Sequence, residues 1–439
     1  MSRRSKRETL KPRNYYIEGL SHEGRGIARD EGKTVFVHNG LPGEMVLAKV
    51  TRRKSHFDEA DAIEIKNPNP QRQKPRCHHF GVCGGCSVQH MLPEYQRRHK
   101  EKVLLDLLSH RAGVEPEKKM EPIFGETWGY RRRARLSAKS VRGKGGLILG
   151  FRERNGRYVT DCDRCDVLDL RVGGRIVEIR DALRSLSVES SIPQIEVAAS
   201  EDEVVLVIRH LKPLNTSDVK LLDRLHRETN LAIYLQSTGP ESAHPLTNSP
   251  TELSYNIGTH KIGFLPTDFT QINHEVNKKM VAEVRNALDL SGCENVLDLF
   301  SGIGNFTIPL SFACGSIMGI EGSASLVERA TQNAKRNVAE NCAFEQKDLF
   351  DLASMDTIRW GSYERLLLDP PRSGAEQVVR HPELDAIPRI VYVSCNGETL
   401  IRDAKILCTE RGYRLQQLGV MDMFPQTAHI EVLAVFEKR

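Results

Sequence analysis

The sequence predicts a multidomain chain with three kinds of architecture: a small all-β barrel, an α+β central domain and a doubly wound α/β domain. Residues 11–66 hold short β-like runs broken by glycine, with turns at roughly 8–12-residue intervals, the spacing of a small barrel. Residues 128–265 mix short strands with one or two helices. From residue 266 apolar runs without polar alternation alternate with helical stretches, as in a parallel sheet covered on both faces. A chain of 439 residues is also too long for one ordinary domain.

The barrel is read over 1–70. Its runs are NYYIEGL, GRGIA, KTVFVHNG, MVLAKVTRR and DEADAIEI, and Asn67-Pro68-Asn69-Pro70 ends it, because a residue before proline is pushed out of the helical region. A cysteine-rich segment, 71–92, is assigned to the central domain together with 126–265, whose strands read LILGFRE, QIEVAAS, EVVLVIRH and LAIYLQS. Between them, 93–125 carries an amphipathic helix expected to pack on the C-terminal domain. In that domain, 266–439, Val276, Met280, Val281, Val284, Ala287 and Leu288 recur at helical spacing and Gly292 is the expected stop. The strands ENVLDLF, SIMGIEG, ERLLLDP and RIVYVSC follow.

A hydrophobic fraction of 39% with 28% charged residues fits a soluble globular protein. No apolar run nears the roughly 18 residues that span a bilayer, and the basic start MSRRSKRETLKPR lacks the apolar stretch of a signal peptide. The expectation is a cytoplasmic protein with no membrane partner and no need of an oligomer. Net charge is only +5, but it is clustered. Arg3, Arg4, Lys6, Arg7, Lys11 and Arg13 face one acid, Glu8. Arg131, Arg132, Arg133 and Arg135 form a second cluster continued by Lys139, Arg142 and Lys144, with Trp128 and Tyr130 beside it. A solvated basic face is the alternative to a phosphate footprint. Aromatics beside the charges favour RNA, whose bases stack on such rings, and make Arg131, Arg132, Arg133 and Arg135 the RNA-binding candidates.

The first strand of the α/β domain ends in Asp298-Leu299-Phe300-Ser301-Gly302-Ile303-Gly304-Asn305-Phe306. Thr307 stands where a dinucleotide fingerprint has its third glycine, so the phosphate cradle is incomplete. The next strand ends at Glu321, placed to bind both hydroxyls of a ribose. A glycine loop without the phosphate fingerprint, followed by such an acid, fits S-adenosylmethionine better than NAD; a structural glycine turn is the alternative. Asp348 and Asp369 end two further strands on the same edge, where open α/β sheets bind ligands. Cys395 ends the next, in VYVSCNGETLIRD. A packing role is the ordinary reading of a lone cysteine. Beside a methyl donor, a thiolate could instead add to C6 of uracil and make C5 nucleophilic; a base must then remove the C5 proton. Glu431 is the one acid in the apolar strand that ends the chain, either as that base or as the partner of a cation such as Arg372.

DLFSGIGNF, LLLDPPRSGA, VYVSCN and DMFPQTAHIE resemble the motifs of the RNA uracil-C5 methyltransferases. The resemblance runs over essentially the whole chain and is nearest to the members that act on 23S ribosomal RNA and carry a TRAM domain and an iron–sulfur cluster. It implies a Rossmann-like class I methyltransferase domain with Cys395 as nucleophile and Glu431 as base. Gln271, Phe300, Asn305, Glu321, Asp348 and Asp369 would line the S-adenosylmethionine site; the family often has asparagine where this chain has Asp348. The N-terminal stretch resembles TRAM, an RNA-binding barrel, and the implied partner is 23S ribosomal RNA. The tRNA-specific relatives lack the cysteine cluster and TRAM, which is the ground for preferring ribosomal RNA. A non-catalytic ribosome-assembly protein is disfavoured by the intact Cys395 and Glu431.

Ten cysteines in a cytosolic protein point to packing, ligation or nucleophiles rather than disulfides. Cys77, Cys83 and Cys86 need a fourth ligand, and Cys162 and Cys165 are the candidates. Spacing alone leaves open a zinc site on two CxxC pairs, weakened by the long gap between them. The resemblance implies a [4Fe–4S] cluster on Cys77, Cys83, Cys86 and Cys165, structural in role, with Cys162 spare. Cys293, Cys314, Cys342 and Cys408 read as packing residues. His78, His79 and His429 read as surface or hydrogen-bonding residues.

Overall fold

The computed structural model describes residues 11–154, 156–247 and 250–438. Arg3, Arg4, Lys6 and Arg7 of the first basic cluster lie outside the described residues. The chain forms two compact units, one of residues up to Lys100 together with Gln426–Ala428, the other of Glu101–Pro425 and His429–Arg439.

In the first unit the sheet runs Arg13–Tyr16, Met45–Arg53, Phe57–Lys66, Lys33–His38, Gly26–Asp30, Gly19–Leu20. Its first and last members are successive parts of one bent strand. Ile17 N–H bonds back to Glu44 O (2.9 Å) and Glu18 N–H forward to Ile27 O (2.8 Å), so the sheet closes on itself. Closure removes the open edges that would otherwise template aggregation. Alternation decides the faces: Val35 and Val37, Val46 and Ala48 point into a fully buried core. The barrel mouth is pinned by Glu44, which is completely buried. Its carboxylate accepts from Leu41 N–H (2.8 Å), Asn69 N–H (3.0 Å), Arg72 Nε (2.6 Å) and Arg72 Nη2 (2.7 Å). Four donors replace the lost hydration of the carboxylate, which is the condition for burying a charge.

The second unit holds two large sheets. The central one runs His244–Pro245, Ala232–Gln236, Val204–Arg209, Gln194–Ala199, Arg133–Val141, Gly146–Gly150, and only Val204–Arg209 with Ala232–Gln236 is parallel. The other carries the candidate site. Its strands are β1 (Asn295–Leu299), β2 (Ser316–Glu321), β3 (Cys342–Gln346), β4 (Arg365–Leu368), β5 (Arg389–Ser394), β6 (Tyr413–Met421) and β7 (Glu431–Lys438). They lie in the order 3-2-1-4-5-7-6, with Lys118–Lys119 added outside β6. β1 to β5 are parallel, and β7 is antiparallel to both β5 and β6.

Helix α1 (His274–Leu288) starts at Asn273, whose side chain accepts from Val276 N–H (3.2 Å). It ends before the expected Gly292: Asp289 takes the left-handed conformation (φ 54°) that a short polar side chain tolerates. Leu104 and Leu108, from the expected amphipathic helix, are buried in the core that holds Tyr392 and Leu415. Among the described residues no helix is long and apolar enough to cross a membrane.

Replacing Glu44 by alanine removes the carboxylate partner of Arg72 and leaves its Nε and two backbone N–H groups without their acceptor, while Asn39 still accepts from the guanidinium. The expected cost is about 3–5 kcal/mol. Hydrogen-exchange mass spectrometry checks it, with lost protection expected in barrel peptides and unchanged protection in β1–β7 as the internal control.

Candidate active site

The first four strands of the site sheet end on one edge. Past β1 the chain turns sharply, with Phe300 (φ 67°), Gly302 (φ 56°) and Gly304 (φ 86°) all left-handed. Phe300 and Ser301 N–H both reach Ile320 O, at 2.9 and 3.1 Å. Glu321, at the end of β2, accepts from Gly302 N–H (3.1 Å) and Ser323 N–H (3.0 Å), so the glycine loop is tied to the proposed ribose acid. Gly319 is needed here: a Cβ would meet the Phe344 ring at 2.5 Å and Ser301 Oγ at 3.0 Å.

Asp298 is fully buried. Its Oδ2 accepts from Thr307 Oγ1 (2.6 Å), while Oδ1 has no partner among the described residues, nor has the buried Ser301 Oγ. Burial pushes the Asp298 carboxyl up to about 7; Thr307 opposes the rise, and Asp369 and Glu321 add to it. Burial likewise pushes Asp369 up to about 7. Orphaned polar atoms beside acids at a strand-end crevice fit a polar, cationic ligand such as S-adenosylmethionine.

The other expected cofactor residues are placed unevenly. Asp348 is exposed and caps its own turn through Phe350 N–H (2.9 Å), and the Phe350 ring stands 5.8 Å from that of Phe300. Gln271 is half-buried in the loop that enters α1. Asn305 is held in a side-chain network: Oδ1 accepts from Tyr255 Oη and Asn277 Nδ2 (both 2.8 Å), and Nδ2 donates to Asn277 Oδ1 (3.0 Å). Nothing in the sequence spacing marked Tyr255 or Asn277.

Cys395 and Glu431 are brought together by strand pairing. Ser394, the last residue of β5, faces Val432 on β7; Cys395 follows Ser394 and Glu431 precedes Val432, and Glu431 is close enough to act on the Cys395 thiol. Glu431 is buried, Cys395 half-buried. The loop after Cys395 is laced to the loop after β4: Asn396 Nδ2 donates to Arg372 O (2.9 Å), and Arg402 Nη2 to Ser373 O (3.0 Å). Asp403, wholly buried, accepts from Ala375 N–H (2.8 Å) and Tyr392 Oη (2.7 Å). Gly374 is left-handed (φ 77°), and a Cβ there would meet Asp403 Oδ2 at 2.8 Å. Arg372 is exposed. Burial pushes the Cys395 thiol up to about 11; Glu431 and Asp369 add to the rise and Arg372 opposes it.

The second basic cluster is largely internal. Arg131 donates to Arg133 O (3.0 Å) and lies over the Phe151 ring (5.3 Å). Arg133 donates to Pro266 O, and burial lowers the pKa of both Arg132 and Arg133. Arg135 is exposed but paired with Glu196 (2.8 Å). Tyr130 is buried and donates to Pro425 O (2.9 Å), so it offers no stacking face. Of this cluster, Lys139, Arg142 and Lys144 remain exposed.

In the first unit, Cys77, Cys83 and Cys86 are half-buried on an irregular loop. Gln89 Oε1 accepts from Cys77 N–H (3.1 Å), and Gly85 N–H donates to Cys83 Sγ (3.4 Å). In the second unit, Cys162 is buried, and a Cβ on Gly150 would lie 2.6 Å from its sulfur, whereas Cys165 is half-buried. Cys314 is a buried packing residue, Cys342 and Cys408 are half-buried, and Cys293 is exposed, in the turn after the left-handed Gly292. His429 is exposed, with its ring 5.4 Å from Phe424.

The 3-2-1-4-5-7-6 sheet with a glycine loop after β1 and an acid after β2 defines a class I methyltransferase fold. Residues 253–439 match the family model described as tRNA (Uracil-5-)-methyltransferase, and 16–63 match the TRAM domain. The chain is 46% identical to the 23S rRNA (uracil(1939)-C(5))-methyltransferase RlmD of Alkalilimnicola ehrlichii, over 100% of this chain and 99% of that protein. The RlmD of Nitrosococcus oceani is also 46% identical, with the same coverage. Among solved structures, the Pyrococcus abyssi tRNA (uracil-54, C5)-methyltransferase in complex with S-adenosyl-L-homocysteine matches with TM-score 0.73 at 22% identity, covering 96% of this chain and 99% of that one. The chain belongs to the RlmD family of RNA uracil-C5 methyltransferases.

An acid whose folded pKa lies above its unfolded value holds a proton that the unfolded chain releases, so stability falls as pH rises between the two. For Asp298 that window runs from the ordinary carboxylate value of about 4 to about 7. Asp298→Asn should match the wild type near the lower limit and exceed it in stability above the upper one. Urea titrations at both ends of the window check this, and a gain at the acid end would contradict it.

Proposed function

We propose that the chain methylates C5 of a uridine in 23S ribosomal RNA, at the position that the relatives' name gives as 1939, with S-adenosylmethionine as donor. The observation that supports the chemistry is the end of the β5–β7 register at Ser394 and Val432, with Cys395 and Glu431 the next residues on the two strands. S-adenosylmethionine supplies an electrophilic methyl group on a sulfonium. Cys395 loses its proton to solvent, and its sulfur adds to uracil C6. The C5=C6 electron pair moves to C5 and O4, which makes C5 the nucleophile. Once C5 carries the methyl group, Glu431 takes its proton, the C6–S bond breaks, and the thiolate leaves as 5-methyluridine forms. Glu321 would hold the ribose, Phe300 and Asp348 the adenine end, and Asp369 and Gln271 the methionine end. Asn305 would fix the glycine loop through its network.

The cysteine loop supports a [4Fe–4S] cluster on Cys77, Cys83, Cys86 and Cys165. Three thiols lie within one short irregular loop, and a backbone N–H already points at one sulfur, as around cluster thiolates. Cys162 is buried. Four protein thiolates leave no open iron, so the cluster's role here is structural. We assign 1–70 as the RNA-binding barrel, 71–92 with 126–265 as the central domain, 93–125 as the connecting segment and 266–439 as the catalytic domain. The protein acts as a cytoplasmic monomer. With Arg131, Arg132 and Arg133 held internally, Arg135 is the member of that run best placed for RNA.

Two experiments test this. With 5-fluorouridine-substituted RNA and S-adenosylmethionine, the fluorine at C5 cannot leave as a proton. A denaturation-resistant adduct is expected with a 23S fragment, and none with Cys395→Ser. Glu431→Gln should accumulate such an adduct on unsubstituted RNA. An adduct with tRNA alone would keep the chemistry and overturn the substrate. For the cluster, anaerobically purified Cys162→Ser is expected to keep the iron and sulfide content of the wild type, and Cys165→Ser to lose it. The reverse pattern would exchange the two assignments.

A further inference from the structure

A two-stranded hairpin precedes the site sheet in the chain. Leu253–Ile257 pairs antiparallel with His260–Phe264 across a turn at the left-handed Gly258 (φ 59°), and among the described residues it joins neither large sheet. A hairpin of this size is marginal on its own in water. Here Tyr255, Ile262 and Phe264 are buried in one core with Ile303 and Phe306, which belong to the glycine loop after β1. Two polar bridges run from the hairpin to that same loop. In the first, the Tyr255 hydroxyl donates to Asn305 Oδ1 (2.8 Å), and Asn277 of α1 exchanges two bonds with the same amide (2.8 and 3.0 Å). The second is Asn333, on the helix that follows β2 (Ala324–Arg336). Its Oδ1 accepts from Gly263 N–H (2.8 Å), and its Nδ2 donates to Gly263 O (2.9 Å) and to Ile303 O (3.1 Å). Tyr255, Asn277 and Asn333 are all buried.

We propose that this hairpin is a brace for the S-adenosylmethionine loop, and that Tyr255 is a positioning residue that acts through Asn305 to set the affinity for the methyl donor. The inference rests on the reading of the glycine loop as the donor site and adds the group that holds it in shape. Two glycines within Ser301–Asn305 give the loop a wide conformational freedom, and freedom lost on binding is subtracted from affinity. The bridges remove that freedom before the ligand arrives. Asn305 is suited to anchoring rather than to gripping a ligand: Oδ1 already accepts two bonds, and one of the two Nδ2 donors is used. Apolar contact alone would also hold the hairpin against the loop. Buried hydrogen bonds add more, because they are satisfied in one relative position only and so select one loop shape. The Tyr255 ring is itself fixed, with the rings of Phe264 and His274 at 5.8 and 5.6 Å.

The test uses the full-length protein. Isothermal titration calorimetry with S-adenosylhomocysteine gives the affinity of wild type, Tyr255→Phe, Asn305→Ala and the double variant. Methylation of a 23S fragment gives kcat and both KM values. Tyr255→Phe keeps the ring and deletes one hydroxyl. It should weaken binding by roughly three- to tenfold, the range of one lost hydrogen bond, and raise the KM for S-adenosylmethionine in step. The kcat at saturating donor and the KM for RNA should not change. In the Asn305→Ala background the same substitution should cost less than about twofold, because its target is gone. A Tyr255→Phe protein with a lower melting temperature but wild-type affinity overturns the proposal, since the hydroxyl would then serve stability alone. So does a loss that multiplies in full with that of Asn305→Ala. Hydrogen exchange of the wild type tests the underlying reading separately: bound S-adenosylhomocysteine should protect the peptide that spans Phe300–Phe306. Binding without protection there would overturn the loop as donor site, whatever the variants show.

Discussion

One antiparallel strand decides what this sheet can do. In β1 to β5 every chain direction is the same, so only the last residues of each strand reach the ligand edge. β7 enters between β5 and β6 in the opposite direction, and its first residue, Glu431, arrives at that edge. Cys395, directly after the end of one strand, and Glu431, at the start of its neighbour, then flank the last paired residues of the β5–β7 ladder. The loops after β4 and β5 are braced by Asn396, Asp403 and Arg402.

The same edge concentrates negative charge at a cost in stability. Asp298 and Asp369 are buried deeply enough that their carboxyls titrate near neutrality, and Asp298 leaves an oxygen without a partner. Packing alone would favour neutral residues at both positions. A cationic ligand changes the balance: a positive charge placed among these acids lowers their pKa values and recovers the energy lost on burying them. The two buried acids are thus a cost to the fold that a cation bound among them would offset.

The strands of the site were legible because fully buried parallel strands are continuous apolar runs, and their ends are marked by the first polar residue. Asp298, Glu321, Asp369 and Cys395 were all found that way. Glu431 stood out as a lone acid in an apolar strand. What stayed hidden depends on tertiary partners. The run Arg131–Arg133 reads as a phosphate footprint, yet these side chains reach backbone carbonyls, an aromatic ring and a half-buried interior. Charge density in sequence does not reveal where a side chain points. Tyr130, adjacent to the run, is buried for the same reason. Helix α1 ended at Asp289 because a left-handed aspartate is an adequate stop, and the glycine three residues later was not required. The Tyr255–Asn277–Asn305 network joins three separate segments, and no local spacing encodes it.

Domain content turned out to be a weaker guide to substrate than it looked. The sequence argument preferred ribosomal RNA because the tRNA-specific relatives were expected to lack the barrel and cysteine segment. The Pyrococcus abyssi tRNA enzyme nevertheless overlays 96% of this chain, so the architecture itself is shared across the two substrate classes. At 22% identity that likeness carries fold alone. The substrate reading rests instead on relatives at 46% identity along the full chain, all named for the same uridine of 23S ribosomal RNA. Architecture alone therefore cannot separate the two substrate classes, and sequence identity along the full chain does.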